Sequence, residues 1–297
     1  MERVGVLGLG RMGRGIADRL VRAGVSVTAF DIVEARRQAF HDERGVMASC
    51  AEDVAAEVDV LVTVLPGPAE LRQVLLGDRT LDRMRPGSCW LDLTSNDPRV
   101  AGEVARAAAE RGIDVVGAPM AGDPTDAAAG TLGFYVGGSP DAVRRVAPLL
   151  ELLGDPHRIV PMGHDVAAGY TTKLLANTLW FGQTIAVTEV MLLGQELGLD
   201  LLALRGALES GPGSSSFIIH HLDSLLAGDY LTTFGVSRVV DELDTVTALA
   251  DEAQTPFDLT ALVASLHHEA LQRFGPVDGE LLAAKLLEIR ASRTLRA

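Results

Sequence analysis

The chain has 297 residues and a formal net charge of −14, because 26 lysines and arginines face 40 aspartates and glutamates. Hydrophobic residues make up 47% and charged residues 22%, which excludes intrinsic disorder and allows one large domain or two ordinary ones. The acidic surplus argues against a nucleic-acid or anionic-membrane partner, because either would need a basic surface. With Cys50 and Cys89 as the two cysteines, a disulfide framework and a cysteine-rich zinc site are excluded.

The start of the chain and its apolar runs bear on location. Met1-Glu2-Arg3 leads directly into a short apolar run without a cleavage site, so we expect no secretion signal. A prominent uncharged stretch at 174–188 is shorter than the roughly 20 residues that a membrane helix needs. We therefore expect a soluble, cytoplasmic protein without a membrane partner.

Through the first half, short runs rich in β-branched residues alternate with stretches whose apolar residues recur at helical spacing. Strands are predicted at 4–8, 25–30, 58–65, 88–93, 113–116, 132–136 and 158–160. Helices are predicted between them at 12–22, 32–43, 69–76, 99–111 and 140–153. This alternation is typical of an α/β fold with a mostly parallel sheet.

The pattern changes after Gly163. Residues 166–197 contain no strong helix breaker, which predicts one helix of some thirty residues, roughly 45 Å long at ~1.5 Å per residue. Apolar residues occur nearly all round this helix, so we expect it to be buried on several sides. Helical patterns alone follow, at 201–209, 218–227, 236–252 and 258–273. We therefore expect an α/β domain over residues 1–163 and an all-helical domain over 164–297, headed by this long interdomain helix.

A glycine-rich turn follows the first predicted strand and opens a helix, with the sequence Gly8-Leu9-Gly10-Arg11-Met12-Gly13. In this context the GxGxxG spacing predicts dinucleotide binding. The first glycine permits the turn, the second lets the pyrophosphate approach the backbone, and the third lets helix and strand pack closely. Asp31 closes the second predicted strand, where a carboxylate binds the adenine ribose and repels a 2′-phosphate. We expect NAD as the cofactor, and Arg36 and Arg37 leave NADP as an alternative.

Two further turns end predicted strands, Leu65-Pro66-Gly67-Pro68 and Asp92-Leu93-Thr94-Ser95. Ligands of open α/β sheets bind beyond the carboxyl ends of the strands. We therefore expect Leu65, Pro66 and Thr94 to contact the cofactor, although both turns could also be routine connections.

Gly169, Lys173 and Asn177 are spaced i, i+4, i+8 at the start of the long helix, so they share one face. A lysine on an apolar, buried helix is costly unless it is paired or used. Asn177 could hold the ammonium group or a substrate oxygen, and Gly169 would leave room for a ligand. The competing interpretation is a lysine that extends to solvent beside an incidental asparagine, and spacing alone leaves both open.

Three segments resemble the β-hydroxyacid dehydrogenase family, which includes 3-hydroxyisobutyrate dehydrogenase and tartronate semialdehyde reductase and has the imine reductases as relatives. They are 8–20 (GLGRMGRGIADRL), 117–138 (GAPMAGDPTDAAAGTLGFYVGG) and 169–177 (GYTTKLLAN), and the similarity extends over essentially the whole chain. The resemblance implies a Rossmann-type domain followed by an all-α domain. It also implies hydride transfer between nicotinamide and a small alcohol or aldehyde, without a metal, in a homodimer or homotetramer formed through the helical domain.

The same resemblance implies roles for individual residues. Lys173 matches the catalytic lysine, which is the general acid in reduction and the general base in oxidation, and Asn177 matches the asparagine that orients it. Phe234 matches an aromatic position near the active site. Asp241 stands where the family often has a lysine that extends towards the cofactor, so its place there should weaken cofactor binding.

The substrate loop departs from the family pattern, since Ala121-Gly122-Asp123 replaces Ser-Gly-Gly. The resemblance implies that this loop receives a substrate carboxylate. An aspartate within ~4 Å of that carboxylate would cost about 4 kcal/mol at an effective dielectric constant near 20. We therefore expect that Asp123 turns away or that the substrate has a neutral or cationic group there, and we hypothesise that Asp123 receives an amine or hydroxyl.

Two other functions compete with a dehydrogenase. An imine reductase-like enzyme would reduce C=N, but relatives with that activity usually replace the lysine that this chain keeps at Lys173. A non-catalytic NAD-binding protein is the third candidate, and the presence of both Lys173 and Asn177 argues against it.

Overall fold

The computed structural model describes residues 2–40 and 45–297, and the chain forms two compact units, Met1–Lys173 and Leu174–Ala297. The strands lie in the first unit, at β1 (Val4–Leu7), β2 (Val27–Phe30), β3 (Gly45–Met47), β4 (Val60–Thr63), β5 (Cys89–Asp92), β6 (Asp114–Gly117), β7 (Met120–Ala121), β8 (Leu132–Gly138) and β9 (Gly154–Gly163). Its helices are α1 (Arg11–Arg22), α2 (Glu34–Ala39), α3 (Ala51–Glu57), α4 (Pro68–Arg72), α5 (Pro98–Ala109), α6 (Pro124–Ala129) and α7 (Pro140–Leu153).

The long predicted helix is α8 (Val166–Glu196), which begins in the first unit and continues into the second. The helices of the second unit that follow it are α9 (Leu201–Ser210), α10 (Ser216–His220), α11 (Leu222–Ala227), α12 (Val236–Glu252), α13 (Asp258–Phe274) and α14 (Leu282–Arg290). None of the helices in the described part of the chain has both the length and the apolar character of a membrane span. The prediction of an α/β unit followed by an all-helical one is confirmed.

The sheet has the strand order β3-β2-β1-β4-β5-β6-β8-β7, with β9 paired to β8. The first six strands in this order are parallel, and β8 pairs antiparallel with β6 and β7. This 3-2-1-4-5-6 order of parallel strands is the Rossmann-type arrangement. Their carboxyl ends therefore meet at one edge of the sheet, and this edge carries the turns expected to bind the cofactor.

Both faces of the central strands are buried, as expected of a parallel sheet covered by helices. Successive residues point to opposite faces, so Val60 and Val62 pack in one cluster with Ile16 of α1, whereas Leu61 packs in the other with Val104 of α5. Two-sided burial explains why these strands occur in the sequence as short continuous apolar runs.

Several elements differ from the sequence-based expectation. The helix predicted at 32–43 is observed as α2 (Glu34–Ala39), and residues 41–43 of that prediction lie outside the described residues. The helix predicted at 218–227 is two helices, α10 and α11, which meet at His221. The prediction missed β3, β7, α3, α6 and α14, all of which are short.

The apolar surface of α8 is only partly covered within the chain. Phe181, Ile185 and Met191 are buried in the helical unit. Four large apolar side chains of the same helix remain exposed: Leu175, Leu179, Val190 and Leu193. Within the single chain this helix is therefore buried over part of its surface, and its burial on several sides, with a second subunit included, stays a prediction.

At Gly169, the start of α8 packs on the sheet backbone to backbone. A Cβ on Gly169 would lie 2.3 Å from the carbonyl oxygen of Tyr135 and 3.1 Å from that of Gly117. A Cβ on Gly137 would likewise lie 2.4 Å from the carbonyl oxygen of Asp165. Our interpretation that Gly169 leaves room for a ligand is therefore wrong, because the missing side chain lets the helix approach the strands.

We predict that Gly169→Ala lowers the free energy of unfolding by about 1–3 kcal/mol, since backbone atoms must move to admit the methyl group. The control is Gly102→Ala in α5, whose added Cβ would meet only the Arg106 side chain at 3.7 Å. That variant should be unchanged or up to about 1 kcal/mol more stable, because alanine favours helix. Urea unfolding of both variants checks this, and equal stabilities would contradict the packing explanation.

Candidate active site

The glycine-rich turn at the carboxyl end of β1 has the geometry that a dinucleotide requires. Gly8 has φ +98°, and a Cβ there would lie 2.2 Å from the carbonyl oxygen of Val64. A Cβ on Gly13 would lie 2.0 Å from the carbonyl oxygen of Gly8, whereas in the described part of the chain no atom outside Gly10 and its chain neighbours lies within 4 Å of the Cβ position of Gly10. The outer two glycines thus allow close packing, and Gly10 leaves open space in front of α1. These residues fit a bound pyrophosphate.

The remaining residues of the turn differ in exposure, since Arg11 is exposed, Met12 is half-buried and Leu9 is buried. The backbone N–H of Leu9 donates a 2.7 Å hydrogen bond to a carboxylate oxygen of Asp31. The other oxygen of Asp31 accepts from the N–H of Val33 at 2.8 Å. Asp31 is 5% exposed and therefore ties the glycine turn to the carboxyl end of β2.

Arg36 and Arg37, which could favour NADP, both form contacts within the chain near Asp31. Arg36 Nη1 lies 3.3 Å from the Asp31 carboxylate. Arg37 donates to the carbonyl oxygen of Asp31 at 2.6 Å, pairs with Glu34, and lies over the Phe30 ring at 5.5 Å. The surroundings of the β2 terminus therefore combine a buried carboxylate with two cations that already have partners.

The turns after β4 and β5 are joined to each other. The N–H of Leu65 donates to Thr94 Oγ1 at 3.1 Å. Thr94 is buried, Leu65 is half-buried and Pro66 is exposed. The structure thus brings together two of the residues that the sequence predicts at the cofactor, on the same edge of the sheet as the glycine turn.

A buried carboxylate that the sequence analysis did not single out lies beneath these turns. Asp92 is fully buried and accepts hydrogen bonds from Thr63 Oγ1 at 2.7 Å and the Thr94 N–H at 3.1 Å. Its second oxygen accepts from the Tyr170 hydroxyl at 2.8 Å and from Asn96 Nδ2 at 3.3 Å. Burial raises the pKa of Asp92, and the hydrogen bonds from Thr94, Thr63 and Tyr170 oppose that rise. An acidic residue at the end of an otherwise apolar strand was the available signal.

The predicted substrate loop runs from β7 into α6. Gly122 has φ +137°, and Asp123 is the N-cap of α6. Asp123 Oδ1 accepts from the N–H groups of Thr125 at 2.7 Å and Asp126 at 3.0 Å, while the Asp126 carboxylate accepts from the Asp123 N–H at 3.1 Å. This reciprocal capping box gives the unusual aspartate a structural role within the chain.

Ala121 ends β7, and its carbonyl oxygen accepts from the Arg158 guanidinium at 3.3 Å. Arg158 also donates to the carbonyl oxygen of Thr131 at 2.8 Å, so it joins the two ends of the segment that contains α6. The loop is therefore fixed by contacts of its own backbone, and contact of Ala121, Gly122 or Asp123 with a substrate stays a prediction.

Lys173 and Asn177 lie on α8 one turn apart, as predicted, and both are half-buried. In the helical unit, Asn177 Nδ2 donates to Glu242 Oε2 at 2.6 Å. Glu242 lies on α12 beside Asp241, and sequence reasoning missed it because the two partners are 65 residues apart. The bond fixes the orientation of the Asn177 amide, whose oxygen can act only as an acceptor.

The other two predicted residues of the helical unit have different surroundings. Phe234 is half-buried and packs against the apolar core that contains Phe181 and Val239. Asp241 is exposed and lies 3.4 Å from Arg238. Their contacts with substrate and cofactor stay predictions. In residues 2–40 and 45–297, no cluster of three or more His, Cys, Asp or Glu side chains is placed to hold a metal ion.

Comparisons with known proteins cover both units. The family model for the NAD binding domain of 6-phosphogluconate dehydrogenase matches residues 3–164. The model for the NAD-binding domain of NADP-dependent 3-hydroxyisobutyrate dehydrogenase matches residues 167–287. These matches show that the chain has NAD(P)-binding domains.

Among characterised relatives, 2-(hydroxymethyl)glutarate dehydrogenase of Eubacterium barkeri is 29% identical over 89% of this chain and 87% of its own length. The solved structure of Mycobacterium tuberculosis 3-hydroxyisobutyrate dehydrogenase with L-serine is 25% identical, has a TM-score of 0.86, and covers 97% of this chain and 99% of that one. An imine reductase from Myxococcus stipitatus is 18% identical with a TM-score of 0.66 over 97% and 99% of the two chains, and this likeness shows the fold alone.

The family models together match most of the chain, and the first alone matches more than half of it. The chain therefore belongs to the β-hydroxyacid dehydrogenase family.

Proposed function

We propose that this chain is a nicotinamide-dependent dehydrogenase of small β-hydroxy carboxylic acids and that Lys173 transfers the proton. The observation that carries the proposal is the placement of Lys173 one turn before Asn177 on α8. The chain has two lysines and 24 arginines, so nearly all of its positively charged side chains are arginines. An arginine cannot release its proton at physiological pH, whereas a lysine can. A lysine kept at this position therefore suits a proton-transfer role.

The chain's own residues have separate tasks in this reaction. Lys173 takes the proton of the substrate hydroxyl during oxidation and returns it to the carbonyl oxygen during reduction. Asn177, whose amide is fixed by Glu242, offers an acceptor to the ammonium group or to the substrate hydroxyl. A nicotinamide cofactor, when bound, supplies the two-electron chemistry that no side chain of the protein has.

We further infer that NAD is preferred to NADP. Asp31 places a buried carboxylate at the carboxyl end of β2, where it would face a 2′-phosphate with like charge. Arg36 already pairs with this carboxylate, and Arg37 already binds Glu34 and the Asp31 carbonyl oxygen. A 2′-phosphate would have to compete for both cations, which supports NAD.

The names of the relatives suggest a substrate class. 3-Hydroxyisobutyrate, L-serine and 2-(hydroxymethyl)glutarate share the skeleton HOCH₂–CH(X)–COO⁻ and differ in the group X. We propose that this chain oxidises the primary alcohol of such a molecule. A cationic X, as in L-serine, fits our hypothesis that Asp123 receives an amine.

Reduction of C=N is the weaker candidate. It rests on the imine reductases that share the fold at low sequence identity, whereas Lys173 favours a hydroxyl or carbonyl substrate, which needs a proton at oxygen.

We also propose that the exposed apolar side chains of α8 pack against a second copy of the chain, in a homodimer or homotetramer formed through the helical unit. Their number on one helix supports that proposal.

We predict that Lys173→Arg lowers kcat about 100- to 10,000-fold, because the charge remains but the proton cannot be transferred. Lys173→Ala should be equally slow, and both variants should keep the Kd for NADH within about twofold, since Lys173 acts on the substrate. The measurements are cofactor fluorescence titration and oxidation of 3-hydroxyisobutyrate, L-serine and 2-(hydroxymethyl)glutarate.

The matched control is the other lysine. Lys285 lies 4.9 Å from the Tyr230 ring centroid and 5.4 Å from that of Phe274, where it acts as a cation over aromatic rings. Lys285→Arg should therefore turn over like the wild type. Wild-type turnover in Lys173→Arg would exclude Lys173 as the proton carrier.

For the cofactor, we predict a kcat/KM that is about tenfold or more higher with NAD⁺ than with NADP⁺, equivalent to roughly 1.4 kcal/mol or more. Asp31→Ser should weaken both cofactors, because the Leu9 N–H loses its acceptor, but it should raise the NADP⁺ to NAD⁺ ratio about tenfold. Asp18→Asn removes a carboxylate that pairs with Arg14 on α1 and should leave that ratio unchanged. A wild-type preference for NADP⁺ would contradict the inference.

For the substrate, we predict that Asp123→Asn lowers kcat/KM for L-serine about tenfold relative to 3-hydroxyisobutyrate, because the ammonium group loses its counter-charge. Asparagine is as good an N-cap as aspartate, so α6 should remain capped. Steady-state kinetics with both substrates measures the ratio. If both values of kcat/KM change equally, Asp123 serves only as the cap of α6.

A further inference from the structure

The buried Asp92 carboxylate connects the sheet edge to α8. Three of its four hydrogen-bond donors belong to that edge: Thr63 ends β4, and Thr94 and Asn96 follow β5. The fourth donor is the hydroxyl of Tyr170, which is 78 residues further along the chain and lies in the second turn of α8. The carboxylate is therefore a fixed point shared by the turns after β4 and β5 and by the helix that carries Lys173.

The direction of these hydrogen bonds is determined by the donors. The Thr94 N–H and the Asn96 amide nitrogen can only donate, and Thr63 Oγ1 already accepts from Trp90 Nε1 at 2.9 Å. Burial and the adjacent Asp92 charge raise the pKa of Tyr170, so its hydroxyl keeps the proton that it donates. All four bonds thus point into the carboxylate, which is fully buried.

The ring of Tyr170 is held as closely as its hydroxyl. Tyr170 is fully buried, and a Cβ on Gly117 would lie 2.5 Å from its ring. The neighbouring residue, Gly169, packs its backbone on that of Tyr135, so the helix can neither slide nor rotate at this point without breaking contacts. Lys173 follows Tyr170 by three residues and is its neighbour on the helix surface. The position of the Lys173 Cα is therefore set by the Tyr170 contacts.

We propose that Tyr170 and Asp92 are positioning residues for Lys173: the buried hydrogen bond between them fixes the start of α8 against the edge of the sheet where the cofactor turns lie. This rests on the proposed function, since it gives the pair a task only if Lys173 transfers the proton. Neither residue is a catalytic residue, because both side chains are buried and their polar atoms are bound to each other. The Leu65 turn depends on the same cluster through Thr94 Oγ1. One carboxylate thus supports both the lysine and part of the cofactor site.

The test uses the full-length protein and Tyr170→Phe, which removes the hydroxyl and keeps the ring against Gly117. We expect kcat to fall about tenfold or more, with the KM for the hydroxy acid and the Kd for NADH within about twofold of wild type, because a small displacement of a reacting group slows the chemical step more than binding. Asp92→Asn, which places an N–H group among the donors, should lower kcat at least as much. In the double variant the losses should be less than multiplicative, because each single variant already disrupts the hydrogen bond between Tyr170 and Asp92, although Asp92→Asn also disturbs the other three.

The control is a bond of the same kind in the helical unit. Tyr230 donates to the buried carboxylate of Glu288 at 2.6 Å and accepts from Arg296 at 3.2 Å, so Tyr230→Phe removes a hydrogen bond to a buried carboxylate together with this second contact. We expect this variant to lose thermal stability to a similar extent and to keep kcat within about twofold of wild type when assayed below its Tm.

Three outcomes would overturn the proposal: wild-type kcat in Tyr170→Phe, an equal loss of kcat in Tyr230→Phe, or failure of both Tyr170→Phe and Asp92→Asn to fold, which would assign the bond to the fold alone. Lys173→Arg, measured in parallel, separates this failure from that of the proposed function. If Lys173→Arg keeps wild-type turnover, the function itself is wrong. If it loses turnover while Tyr170→Phe does not, only the positioning proposal fails.

Discussion

At the carboxyl edge of the sheet, Asp92 accepts four hydrogen bonds and is shielded from water completely. Removing a carboxylate from water is costly unless its acceptor sites are filled, and a parallel sheet offers a place where this can be done. The strand ends converge there, so threonines from two neighbouring strands reach the same carboxylate. The residual cost is visible in the raised pKa of Asp92. A charge kept in this place restricts the conformations of the turns around it, because any rearrangement would leave it unsatisfied.

Glycines allow two helices to pack closely against this edge of the sheet. At Gly13, in the first turn of α1, and at Gly169, near the start of α8, a glycine allows the helix backbone to approach another backbone segment closely. In both places a methyl group would lie within 2.5 Å of a carbonyl oxygen. Gly10 differs, because the space in front of it is open. Close packing thus aligns two helices with the strand ends, and open space at one glycine leaves access for a ligand.

The local parts of this arrangement could be predicted from the sequence. The glycine turn, Asp31 and the lysine segment are short motifs whose meaning depends on neighbours within a few residues, and their strand or helix context is confirmed. The capping box at Asp123 was also within reach, because Asp-Pro-Thr-Asp has the spacing of such a cap. The contacts of Asp92 with Tyr170 and of Asn177 with Glu242 were not, since 78 and 65 residues separate the partners. Only the fold brings such pairs together, and no periodic pattern in a single sequence indicates which distant residues are in contact.

The acidic composition of the chain raises a physical problem for a protein with NAD(P)-binding domains, because such cofactors carry phosphates. A net charge of −14 repels such ligands at long range, but salt screens that repulsion beyond about 8 Å at physiological ionic strength. At short range, Asp31 accepts from the N–H groups of Leu9 and Val33, and Asp123 accepts from those at the start of α6. In the helical unit, Glu242 accepts from Asn177. These N–H donors hold the carboxylates in place and leave each of them with the negative charge that the proposed roles of Asp31 and Asp123 require.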